Sequence, residues 1–351
     1  MNQTLQLNQR GLLFKLTWPI FIELILQMLV GNVDQIMMSQ YSENAVAAIG
    51  NVNTIMNFMT ITFSIVTMAI TIMVTQYLGS KNKEKVSEIY TVGIFTNLIF
   101  SVIISIGLYF GSEALFTALK MPVELHADAK QYLNIVGGLV FLQALFMSFS
   151  AIFRSNGLMK QGMYISVLVN VLNIIGNALL LPSMGIVGIA ISSVFSRFIG
   201  VILVYWLFVK RIDGQLHLKY LRPFPKDTFK QLLRIGLPAG GESVMYNISQ
   251  MMILMCVNML GTVIITARVY ANMIAWLSYL YSSAVGQGNQ IIIGHLVGAR
   301  QEDEAYERSL KTLWPTMIIT IIISTTVFLL SDQIFGIFTK NEEVLNVLKM
   351  I

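Results

Sequence analysis

Apolar residues in this chain come in runs of twenty or more, separated by short segments that hold most of the charge. A helix needs about 20 residues to cross about 30 Å of hydrocarbon, and every backbone polar group in that slab must be satisfied within the helix. The runs therefore predict helical spans over 16–38, 46–78, 89–111, 131–153, 162–182, 186–209, 235–259, 264–297 and 308–330, with a tenth beginning near 344. The fold class is an all-α membrane protein. Pro19 and Pro238 are expected in first helical turns, where proline is tolerated.

Composition excludes the main alternatives. Of 351 residues, 55% are hydrophobic and 12% charged, where a soluble domain carries about 25% charged residues. The net charge of +5 does not point to nucleic acid, because the basic residues lie between the apolar runs. Cys256 is the only cysteine, so no disulfide or cysteine metal site forms within one chain. His126, His217 and His295 lie on different loops or span ends and make no metal constellation. No nucleotide-binding loop or Ser–His pairing appears, so neither an enzyme nor a cofactor is expected. The N-terminus, MNQTLQLNQRGLLFK, shows no cleavable signal, and the first span is expected to act as an uncleaved anchor.

Loop charge gives an orientation. Arg10 and Lys15, then Lys81, Lys83 and Lys85, then Arg154 and Lys160 occupy alternate loops, and the segment from Lys210 to Arg234 holds more. The intervening loops hold few. The positive-inside rule places the N-terminus in the cytoplasm of a multi-pass plasma-membrane protein. The long basic stretch reads as a cytoplasmic linker, 211–229, between a six-helix unit over 1–210 and a second unit over 230–351.

The two units repeat. At an offset of 219 residues Pro19 meets Pro238, Glu23 meets Glu242, Asn53 meets Asn272, Gly79 meets Gly298 and Glu88 meets Glu307, without a gap. An even number of spans per unit makes the repeat parallel, which is a transporter signature. The last residue falls opposite Tyr132, so the second six-helix bundle is expected to be incomplete: about nine full spans plus the start of a tenth.

Polar residues inside spans are the functional candidates. At about 100° per residue, Gln27 lies about 40° and Asp34 about 20° from Glu23, forming one stripe about 16 Å long. It is expected to face the bundle interior; an interfacial acid is the alternative for either carboxylate. Asn173 and Asn177, four apart, share a helix face, as cavity groups or as interhelical amide contacts. Arg197 is placed mid-span, with a structural role expected.

Several segments together resemble the multidrug and toxic compound extrusion (MATE) family: WPIFIELILQMLVGNVDQIMM, QYLGSKNKEK, RSNGLMKQGMYISVLVNVLNIIGNALL, GIVGIAISSVFSR and GLPAGGESV, in that order. The resemblance covers essentially the whole chain. It implies two six-helix bundles around a central cavity and Na⁺ or H⁺ antiport of amphipathic, often cationic, organic molecules by alternating access. The protein would work as a monomer in the bilayer. Flippases of lipid-linked saccharides share the broader architecture and are the alternative, as is a non-functional truncated transporter. The resemblance implies that Asp34, Asn173, Asn177 and Ser193 form the cation site, with Na⁺ as a possible ligand. Asn177 stands where the family commonly has a second carboxylate, and Ser193 where it usually has threonine. Glu23, Gln27, Glu242 and Tyr246 are expected at the substrate cavity. In the second unit Ile253 stands opposite Asp34, so coupling is expected in the first.

Overall fold

A computed structural model describes residues 11–38, 42–119, 121–212, 216–258 and 262–329. Within those stretches, side chains 28–32, 35–36, 43–44, 239, 251, 254–258, 262–278 and 327–328 are outside the description. The tenth span expected near 344 also lies outside it. Among the described residues the fold is helical throughout. The ten helices are α1 (Leu12–Met38), α2 (Glu43–Gly79), α3 (Lys83–Ala118), α4 (His126–Val136), α5 (Phe141–Ser155), α6 (Met159–Met184), α7 (Ile186–Arg211), α8 (Lys226–Asn258), α9 (Thr262–Gly298) and α10 (Glu302–Leu329).

Helices α2, α3, α6 and α7 are each long and apolar enough to cross a bilayer. The single helix predicted over 131–153 is instead two, α4 and α5, bent by 47° at a short break. Gly137 and Gly138 begin the break, and glycine costs about 1 kcal/mol in a helix interior. Two further expectations are corrected. Pro19 and Pro238 sit inside α1 and α8, not at their starts. The helices continue past the apolar run into the polar end of the bundle, because a helix need not stop where the hydrocarbon does. For the same reason α8 begins at Lys226, so the last four residues of the segment predicted as linker are helical.

Helix α3 shows why these sequences pack as they do. Asn97, Ser101, Ser105 and Ser112 are buried, while Ile99, Ile103, Ile106 and Phe110 are exposed. In this middle stretch of α3 the exposed side chains are large and apolar while the buried ones are mainly small and polar, the arrangement expected where the surroundings are hydrocarbon. Asn97 uses its amide to bridge to α5, donating to Ser148 Oγ at 2.8 Å and to the Ala144 carbonyl at 3.3 Å.

The 219-residue repeat is visible in three dimensions. In the α2–α3 turn, Ser80 N bonds Gln76 O, Lys81 N bonds Leu78 O and Asn82 N bonds Tyr77 O; in the α9–α10 turn, Ala299 N bonds His295 O, Arg300 N bonds Val297 O and Gln301 N bonds Leu296 O. These six bonds pair one to one at the same offset. Lys81 and Arg300, paired likewise, both have a φ of 60°. The two turns lie side by side where α2 and α9 cross. A Cβ at Gly79 would overlap the His295 carbonyl oxygen, and one at Gly298 would overlap the Gln76 carbonyl oxygen. Each glycine thus admits the backbone of the other helix, in a reciprocal contact at the end of the bundle that carries the basic loops.

The segment between α7 and α8 is tied down at that same end. The His217 N–H reaches Thr91 Oγ1 on α3 at 3.3 Å. Lys85 Nζ contacts Glu88 at 3.0 Å and Thr228 Oγ1 at 2.6 Å, and the Thr228 hydroxyl donates to Glu88. Thr228 is fully buried, so the first turn of α8 is fixed against the start of α3.

Candidate functional site

Asp34 lies in the half of α1 farther from the basic loops and is 2% exposed. Three helices supply its partners. Asn177 Nδ2, from α6, donates to Asp34 Oδ1 at 2.7 Å. Ser193 Oγ, from α7, donates to Oδ2 at 2.8 Å. Tyr132 OH, from α4, donates to the same oxygen at 3.1 Å. Asn173 completes the cluster by donating its side-chain Nδ2 to Ser193 Oγ at 2.9 Å, and its backbone carbonyl accepts from Ser192 Oγ at 2.8 Å. The four residues expected to form a cation site are therefore in one hydrogen-bonded group.

The cluster is asymmetric in its oxygens. The side-chain oxygens of Asn173 and Asn177 are buried and have no hydrogen-bond partner, although their nitrogens are engaged. An ionised carboxylate offers about four lone-pair positions, and three are used here. The site thus retains carboxylate capacity and two unpartnered amide oxygens in a buried volume. A buried amide oxygen without a partner is unfavourable by about 1–3 kcal/mol. Oxygen-only donors of this kind suit hard cations.

Tyr132 carried no signal in the sequence, since a tyrosine in a bilayer span has many uses and its direction depends on the α4–α5 bend. Arg197, expected to be structural, is half-buried, and its charge acts on both Asp34 and Tyr132.

The remaining candidates separate into two places. Glu23 is 1% exposed. Its Oε1 accepts from Arg154 Nη1 at 3.3 Å and from Gln27 Nε2 at 3.4 Å. Arg154, read from the sequence as a loop cation, belongs to the last turn of α5 and turns inward to this pair. Glu242 and Tyr246 lie on α8 and are exposed, Tyr246 by 61%. Glu23 and Glu242, paired in the repeat, therefore differ in environment: one is a buried ion pair and the other an exposed acid.

Comparison with known proteins follows the same geometry. The MatE family profile matches residues 19–179 and again 238–351, two stretches that start at the prolines paired by the 219-residue offset. The chain is 38% identical to the uncharacterized transporter YisQ of Bacillus subtilis, over 95% of this chain and 74% of the relative. It is 24% identical to a probable multidrug resistance protein NorM of Thermotoga maritima, over 96% and 74%. Among solved structures it is similar to the Vibrio cholerae MATE transporter VcmN in the bent form, with a TM-score of 0.89 at 19% identity, covering 97% of this chain and 78% of that one. A multidrug resistance MATE family transporter in an outward-facing conformation gives a TM-score of 0.85 at 22% identity, covering 97% and 77%.

Proposed function

The chain belongs to the MatE family of transporters, and from that premise we propose that it exports amphipathic organic compounds in exchange for Na⁺ or H⁺. The observation that carries the coupling reading is the buried Asp34 carboxylate with the unpartnered amide oxygens of Asn173 and Asn177 beside it. A carboxylate taken out of water needs a compensating positive charge. Arg197 contributes part of that charge; a cation or a proton bound at the carboxylate oxygens supplies the rest, and the amide oxygens replace the hydration shell of a metal ion.

The proposed mechanism is alternating access between an N-terminal lobe, 1–210, and a second lobe beginning near 230, joined by the linker. In this reading the close reciprocal approach at Gly79 and Gly298 serves as the closure of the end with the basic loops. By the positive-inside rule that end faces the cytoplasm of a plasma-membrane protein. Cation binding at Asp34 is then read from the opposite side. A cation that binds one lobe arrangement more tightly than the other shifts the equilibrium by that difference and no more. The exposed Glu242 and Tyr246 on α8 are assigned to substrate, an acid and an aromatic face suiting an organic cation.

The test is ethidium efflux from proteoliposomes under an imposed Na⁺ or pH gradient. Efflux driven by one gradient and absent without it supports the reading and names the ion. Efflux indifferent to both gradients would sink it.

A further inference from the structure

The Asp34 cluster does not end at Asp34. On α1, Glu23, Gln27 and Asp34 fall within about 40° of arc; on α6, Gly162, Ser166, Asn170, Asn173 and Asn177 fall within about 80°. The two helices meet at both ends of these stripes, while Gln27 between them is exposed. Asn177 bonds Asp34 at one end. At the other, a Cβ built on Gly162 would lie 3.9 Å from Glu23 Oε2. Between them Ser166 is buried, and its hydroxyl has no hydrogen-bond partner. The α6 side of this α1–α6 seam thus carries the unpartnered buried oxygens of Ser166, Asn173 and Asn177, and α1 holds a buried carboxylate at each end, Asp34 and Glu23, about 16 Å apart along the helix.

The pair at the far end is loosely made. Arg154 meets Glu23 through one contact of 3.3 Å, longer than the ~2.7–2.9 Å of a charge-assisted hydrogen bond and not bidentate. An ion pair of such geometry recovers little of what both charges lose on leaving water. Arg154 sits in the last turn of α5, where a long side chain can carry its charge out to the polar end of the bundle.

We propose that Glu23 is a second station for the coupling cation, between Asp34 and the end with the basic loops, and that the Arg154 guanidinium occupies it whenever the cation does not. The station rests on the cation-coupling reading of Asp34. In it, a cation released from Asp34 moves along the seam and displaces Arg154 from Glu23. Arg154 then returns to the carboxylate and drives the cation out. Glu23 is never without a positive partner, and the two stations exchange one cation instead of holding two.

The experiment counts bound cations on the purified full chain, with ²²Na⁺ binding and with proton uptake at fixed pH, alongside ethidium efflux in proteoliposomes. In Arg154→Gln the bound cation should rise by about one per chain, and in Glu23→Gln/Arg154→Gln it should return to the wild-type value. In Glu23→Gln alone, equilibrium binding should stay at the wild-type value while gradient-driven efflux falls at least tenfold. Wild-type stoichiometry in Arg154→Gln, or wild-type efflux in Glu23→Gln, overturns the proposal; a purely structural pair gives the first of these. If Arg154→Gln does not insert, Arg154→Met takes its place in the cation count. Asp34→Asn separates the two readings. If it leaves cation binding intact, the coupling site itself is wrong; if it removes a cation while Arg154→Gln adds none, only the Glu23 station fails.

Discussion

Asn177 donates to Asp34 at 2.7 Å across the interface of α6 and α1, and its own side-chain oxygen is buried without a partner. The same amide therefore orients the carboxylate and leaves an acceptor open beside it. Asp34→Asn keeps the shape of the site but removes its charge, and with it the reason for a cation to enter. Gradient-driven ethidium efflux should fall at least tenfold, with membrane insertion unchanged. Efflux at the wild-type rate in Asp34→Asn would rule out this residue as the coupling acid.

Two hydroxyls share Asp34 Oδ2, but they are not equivalent. Tyr132 contributes one hydrogen bond at 3.1 Å. Ser193 donates to Asp34 and also accepts from Asn173, so its loss strands a second buried group. One ordinary hydrogen bond is worth about 0.5–1.5 kcal/mol, and a stranded donor costs about 1–3 kcal/mol more. Tyr132→Phe should change the apparent affinity for the coupling ion by about two- to tenfold, tighter if the ion is a proton because both hydroxyls favour the ionised carboxylate, and Ser193→Ala should change it by more. The ion dependence of initial efflux rates measures both. A larger effect from Tyr132→Phe would contradict the assigned network.

What the sequence carried, and what it left out, follows from the range of the interactions. Glu23, Gln27 and Asp34 could be placed on one stripe because helical periodicity is local. Asn173 and Asn177 shared a face for the same reason. The 219-residue offset needed only a comparison of the chain with itself, and it reappears bond by bond in the α2–α3 and α9–α10 turns. Arg154 as the partner of Glu23 was not legible: the two are 131 residues apart, and a basic residue at a span end reads as an orientation signal. Tyr132 depended on the bend between α4 and α5. Gly137 and Gly138 marked that break in the sequence, but an apolar run of spanning length concealed it.

The first turn of α8 offers a test of how the linker is held. Thr228 is fully buried and joins Lys85 to Glu88 by accepting from one and donating to the other. Thr228→Val keeps the shape and removes both hydrogen bonds, leaving the Lys85–Glu88 contact at 3.0 Å. The substitution should destabilise the protein by about 1–3 kcal/mol, read as a lower midpoint of thermal unfolding in detergent. Thr228→Ser retains the hydroxyl and should lose less. Equal losses in the two variants would show that packing of the methyl group, not the hydrogen bonds, secures the start of α8.

The crossing of α2 and α9 gives the most direct test of closure. At Gly79 and Gly298 the obstacle to a side chain is a backbone carbonyl, of His295 and of Gln76 respectively, and a carbonyl in a helix cannot turn aside as a flexible side chain can. Even Gly79→Ala must push the two helices apart. Because the contact is reciprocal, Gly298→Ala should act in the same direction and to a similar extent. At Gly241 on α8 a Cβ meets nothing within 4 Å, so Gly241→Ala is the matched control. With Cys256→Ser as background, spin labels at Lys83→Cys and Glu302→Cys, a pair related by the repeat offset, report the separation at this end. The distance distribution should move to longer values in Gly79→Ala and Gly298→Ala and stay unchanged in Gly241→Ala. Gradient-driven efflux should fall in the first two, because a transporter that cannot close one end leaks its gradient or stalls. An unchanged distribution in both glycine variants would show that the crossing is not the closing contact.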